Sequence, residues 1–199
     1  AEVFRSLKVS SMESKRQPVV VRTLLEECDL NSGSRHAVNS FLANLEDEVL
    51  ASEAVITVMF DSLTQQHRAH AVCERKQAAS LLFKTVGSSL VATHLKFLIC
   101  VAILEVFIQG IPIDPKLLHK ALGALERPPS EGLAEELQVR YIRALLMAAA
   151  VVTGESQEVQ NTSFKLLQTV NLDNLCEDAV QQFTAGLVKI ATENSACPQ

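Results

Sequence analysis

A chain of 199 residues with 48% apolar and 21% charged side chains has the make-up of a globular protein, and it can bury a sizeable core without a metal or disulfides. The net charge of −5 is uneven, since residues 1–100 balance 11 basic against 11 acidic side chains while 101–199 carry 7 basic against 12 acidic. The absence of tryptophan and a single tyrosine, Tyr141, count against a single-strand nucleic-acid binder built on aromatic stacking.

In chain order, Val3, Phe4 and Leu7 give a short amphipathic segment and Ser10–Gln17 a polar linker, so residues 1–17 are expected to precede a single domain over 18–195. Pro18 in a first turn predicts a helix over Val19–Cys28, because proline lacks only an N–H that has no partner there. Asn31–Ser34 marks a loop, and Ala37, Val38, Phe41, Leu42 and Leu45 then recur at helical spacing. One longer helix is predicted from about Asp47 to Leu63. Its β-branched stretch Val55–Phe60 could pass for a strand, but no turn residues flank it. Another helix is predicted from about Thr64 to Val86, with Gly87-Ser88 ending it and capping the next.

Leu95–Ile108 is apolar on every side of a helical wheel, as a helix surrounded by protein or by lipid must be. Lys96, Glu105 and a run shorter than the roughly 20 residues of a bilayer span predict a buried central helix. Gln109–Ile113 is a loop, after which Asp114-Pro115 predicts an N-cap with proline at the first helical position, and the helix continues to Leu125. Pro128-Pro129-Ser130 breaks it. A long helix to about Val152 follows, whose Ala144 and Ala148–Ala150 would admit a neighbouring backbone closely. Thr153-Gly154 ends that helix. Val159, Phe164, Leu167 and Val170 mark the next, Asn171–Asn174 a turn, and Leu175 to about Thr192 the last.

The longer helices thus begin near 48, 88, 130 and 174, with two helices in each step. Leu137-Gln138-Val139-Arg140 with Ala144-Leu145, and Glu158-Val159-Gln160 with Phe164, Leu166 and Leu167, resemble the helix-opening pattern of HEAT repeats. Glu48-Val49-Leu50 with Ala54 is a weaker echo, and the proline and aspartate usual in that repeat are not consistently placed. Over most of 18–195 the chain resembles the HEAT/armadillo family. That resemblance implies an all-α, right-handed α-solenoid of about nine or ten helices stacked in pairs, of low motif specificity. It also implies a non-enzymatic scaffold that takes a partner helix or peptide in a groove of the stacked second helices. The rival fold, an α/β domain with strands at Val19–Val21, Val55–Phe60 and Phe97–Leu104, lacks the glycine-rich turns that should follow its strands.

Chemistry-bearing constellations are sparse. His67 and His70 can share a helix face, but Cys73 points away and no fourth ligand is near, so no metal is expected. His94 is expected at the core edge, bonded to a backbone carbonyl, about 16 Å from Glu105 at 1.5 Å rise per residue. Gly87-Ser88-Ser89 is a cap, not a nucleophile elbow, and no phosphate-cradling glycine motif occurs. The carboxylates Glu46-Asp47-Glu48 and Glu135-Glu136 lie near helix starts, where the dipole favours them. Neither an enzyme nor a cofactor is expected. Five cysteines, odd in number, far apart and without a CxxC, are expected as thiols of an intracellular protein, cytoplasmic or nuclear. The sequon Asn161-Thr162-Ser163 is discounted on that ground, no signal peptide is visible, and the helical start at Ala1 is expected of a fragment of a longer protein.

Within 62–97, Arg68, Arg75, Lys76, Lys84 and Lys96 stand against Glu74 alone. Arg68 and Arg75 are two helical turns apart and Lys76 adjoins them. Arg68, Arg75, Lys76 and Lys84 are therefore the expected partner-binding residues, on a surface strip. Through this strip the alternative function is electrostatic binding of nucleic acid or acidic protein segments, as in nuclear assemblies. No membrane partner is expected.

Overall fold

The computed structural model describes residues 8–30, 35–64, 72–128, 132–150 and 157–195. Among them are ten α-helices and no strand: α1 (Gln17–Leu30), α2 (Arg35–Ala43), α3 (Asp47–Leu50), α4 (Glu53–Thr64), α5 (Val72–Val86), α6 (Thr93–Ile108), α7 (Pro115–Leu125), α8 (Glu135–Ala150), α9 (Gln157–Thr169) and α10 (Glu177–Ser195). The three segments that could have been strands lie in α1, α4 and α6, where helical periodicity with a partner on each side overrides β-branched propensity. No described helix is long and apolar enough to cross a membrane.

The middle of the fold is α6. Phe97, Ile99, Cys100, Val101, Ala102, Ile103, Leu104 and Val106 are all buried, which covers its whole circumference over three turns. It touches α4, α5, α7 and α8. Full burial of each large aliphatic side chain is worth about 1.5–3 kcal/mol against exposure, so this one helix supplies a major part of the core. Its C-terminus closes in a Schellman motif. Gly110 at φ +82° lets Gly110 N–H donate to Phe107 O (2.9 Å) and Ile111 N–H to Val106 O (3.3 Å), with Ile111 buried behind.

Packing runs between near neighbours in sequence. The helices α4, α6, α8 and α10 touch in succession, as do α5, α7 and α9, and α4·α5, α6·α7 and α8·α9 pack within pairs. The contacts thus follow two series, a first-helix layer of α4, α6, α8 and α10 and a second-helix layer of α5, α7 and α9. The first helices open at 53, 93, 135 and 177, at intervals of 40, 42 and 42 residues. At the amino end α1 packs on α2, α4 and α5. Three of the four alanines of α8 are buried, and Ala150 is exposed. Ala144, Ala148 and Ala149 are buried where α6, α9 and α10 converge, and α10 brings Gly186 so near that an added Cβ would lie 2.4 Å from Leu146 Cδ1.

Several boundaries depart from the sequence expectation. The helix expected over Asp47–Leu63 is two: Ala51 N–H bonds Asp47 O, Ser52 N–H tightens to Val49 O, and Ser52 O then accepts from Ile56 N–H to open α4. Gly87-Ser88 does not cap α6. Ser88 Oγ accepts from Leu90 N–H, and α6 opens only at Thr93, behind Ala92, which makes no side-chain cap. Val9, at the edge of the expected linker, is buried against α1 and α3. The Asp114-Pro115 start is as read: Asp114 Oδ1 accepts from Lys116 N–H at 2.8 Å. Val3, Phe4, Leu7, Arg68, His67, His70, Pro129, Ser130 and Thr153-Gly154 lie outside the described residues.

Candidate functional site

The expected basic strip does not assemble as a surface. Arg75, expected to project from an exposed face, is 7% exposed. Its Nε donates to Leu63 O (2.9 Å) in the last turn of α4, and its Nη2 donates to Gln109 Oε1 (2.6 Å) at the C-terminus of α6. A backbone carbonyl in the last turn of α4 and the side-chain amide oxygen of Gln109 thus hold one guanidinium, and desolvation by burial lowers its pKa from the ordinary value. The reason is positional: Glu74 and Arg75 fall on the inward side of α5 with Ala78, Ala79, Leu81 and Leu82. Lys84 is exposed, but its Nζ donates to Ala43 O (2.5 Å) and so caps the C-terminus of α2. Only Lys76 of the described three is an exposed cation with no such anchoring bond to the backbone.

The described histidines do not gather either. His94 is exposed on the first turn of α6, not bonded at the core edge as expected, and His36 is exposed on α2. His119 Nδ1 lies 3.3 Å from Glu158 Oε1, an exposed link from α7 to α9. Among the described residues no three His, Cys, Asp or Glu side chains are grouped to hold a metal ion. Glu105, far from His94, is instead gripped by Arg140 of α8 through Nε (3.1 Å) and Nη2 (2.6 Å), a bidentate pair that raises the Arg140 pKa chiefly through that hydrogen bond.

Two kinds of surface feature bear on binding, grooves and charge. The first is a groove of about 550 Å³ between α8 and α10, with a floor of Leu146, Met147, Ala185 and Ile190 and with Arg143 and Lys189 on its lining. Met147 is 49% exposed there, and Val188 nearby on α10 is 59% exposed. The groove lies between two first helices, whereas the sequence reading sought one among second helices. Its signal was Gly186 opposite the alanine-rich α8. A comparable crevice of about 530 Å³ separates α4 from α6, lined by Phe60, Leu95 and Leu98.

The second feature is charge. Within its helix bounds the second-helix layer of α5, α7 and α9 carries Arg75, Lys76, Lys84, Lys116, Lys120 and Lys165 against Glu74 and Glu158, a balance of +4. The first-helix layer of α4, α6, α8 and α10 carries four basic against eight acidic residues, a balance of −4. Positive charge therefore follows a layer and not a continuous window of sequence, so a scan along the chain finds only the α5 part of it. Comparison with protein-family models, with curated proteins and with solved structures finds no match.

Proposed function

We propose that the chain is a non-enzymatic protein-interaction scaffold, a right-handed HEAT/armadillo-like α-solenoid that receives a partner helix or peptide in the groove between α8 and α10. The observation that carries the reading is the order of packing: successive pairs at 40–42-residue intervals, each touching the next pair in both layers. Such stacking is how helical-repeat arrays build extended binding surfaces. The groove supports the binding role, because half-exposed Met147 on an apolar floor is what an amphipathic helix buries when it docks. An intracellular setting, cytoplasmic or nuclear, goes with this reading on the cysteine pattern. Electrostatic binding through residues 62–97 is weakened by the burial of Arg75 and the anchoring of Lys84.

The test is affinity capture with the parent and with Met147→Glu/Ala185→Glu, both exposed positions whose replacement costs little stability. Partners identified with the parent and lost with the folded variant support the groove. Equal capture by both chains overturns it.

A further inference from the structure

We infer that the outer face of the second-helix layer is a docking surface for an acidic peptide segment of a partner protein, received by Lys76, Lys116, Lys120 and Lys165. The inference rests on the layer order and the charge placement, not on the α8–α10 groove. On α7, Lys116, His119, Lys120 and Gly123 are exposed while Leu118, Ala121, Leu122 and Leu125 are buried, so both lysines stand on the outward stripe. On α9 the outward stripe is Asn161, Lys165 and Gln168, opposite buried Val159, Ser163, Leu166 and Leu167. On α5 it includes Lys76 and Ser80.

These stripes adjoin. Lys76 and Ser80 line one crevice with Pro112, Pro115 and Leu117 at the start of α7. His119 of α7 reaches Glu158 of α9. The surface is thus continuous over three helices. Packed helix axes are about 8–10 Å apart, so the outer stripes span about 20 Å, the length of about six extended residues. Two carboxylates stand among the lysines, and each has a local partner: Asp114 caps α7 and Glu158 meets His119. Lys84 is left out because it is turned to Ala43 O.

The chemistry favours a short acidic peptide. No Phe, Tyr or Trp side chain lies on the three outward stripes to stack a base, and no guanidinium stands there to fork onto a phosphate or a guanine. Four separate ammonium groups suit carboxylates spaced along an extended chain. Nucleic acid packs about one charge per 1.7 Å of duplex, far more than four lysines neutralise on a chain of net charge −5.

The test uses the full chain, a fluorescent octaglutamate peptide and an oligothymidylate of equal length, followed by anisotropy from about 50 to 200 mM salt. The parent is expected to bind the peptide and to weaken as salt rises. Lys116→Glu/Lys120→Glu/Lys165→Glu is expected to bind about tenfold more weakly or worse, with an unchanged melting temperature. Met147→Glu in the groove is expected to bind the peptide as the parent does, which separates this surface from the groove. Should the charge-reversed chain fail to fold, the corresponding Lys→Gln chain, expected to lose affinity in the same direction, replaces it. No peptide binding by the parent at low salt, or equal binding by the folded lysine variant, overturns the assignment. Tighter binding of the oligonucleotide through the same lysines also overturns it, in favour of nucleic acid.

Discussion

Among single residues, Tyr141 reports most directly on the core. It is 6% exposed, its ring meets Phe97 edge-on at 5.0 Å, and burial pushes its pKa up from 10.0 to about 12. Cys100, buried in α6, is likewise pushed from 9.0 to about 12. Both are raised acids that are neutral when protonated, so their sign is the same. Below the unfolded values both states hold the proton and the stability is fully present. Above them the unfolded chain releases its protons while the native chain keeps them, and stability is lost as pH rises toward about 12. Each group contributes a loss of about 1.4 kcal/mol per pH unit within its window, beginning near pH 9 for Cys100 and near pH 10 for Tyr141. Because the chain has one tyrosine and no tryptophan, phenolate absorbance reads Tyr141 alone. The expected record is no phenolate until about pH 12 or until helicity collapses. A midpoint near the ordinary value with helicity intact would mean that this ring is not buried.

At the scale of elements, the sequence disclosed which segments are helical more fully than how those helices face one another. Apolar spacing located α6, and Asp114-Pro115 fixed the start of α7, because both signals are local and need no neighbour. The break between α3 and α4 had a local sign too, Ser52-Glu53, a cap-type residue before an acidic first turn, but the uninterrupted apolar spacing from Val49 to Met59 masked it. Arg75 could not be placed locally. On α5 alone it is one more cation beside Lys76, and only the arrival of the C-termini of α4 and α6 makes it a buried clamp. Arg75→Ala should therefore cost about 1–3 kcal/mol, because it leaves the buried Leu63 O without its donor, while the exposed Gln109 amide can turn to water. Lys76→Ala, one residue on, should stay within about 0.5 kcal/mol. Urea unfolding of the two variants checks this, and similar midpoints would remove the clamp.

For the whole molecule, the proposed layered order carries a consequence for how stability is distributed. The candidate surfaces were hidden from the sequence for the same reason that Arg75 was: the lysines of α5, α7 and α9 are some 40 residues apart along the chain and become one face only through stacking. In the proposed stack each pair is held by its neighbours, so interior helices are supported from two sides and terminal ones from one. The helix α6 touches four others and is buried all round, whereas α10 packs chiefly on α8 and, among its described side chains, buries only Ala179 fully. Amide hydrogen exchange should accordingly be slowest in α6, where opening requires disruption on both sides, and fastest among the long helices in α10, which can detach while α8 keeps α6 and α9. A core charge sharpens the contrast. Ile103→Asp, at a fully buried position of α6, should unfold the chain, whereas Val188→Asp on the open side of α10 should leave the melting temperature nearly unchanged. Uniform protection across α6 and α10, with both variants equally damaging, would mean one indivisible core, and the pairwise stacking on which the scaffold reading rests would have to be given up.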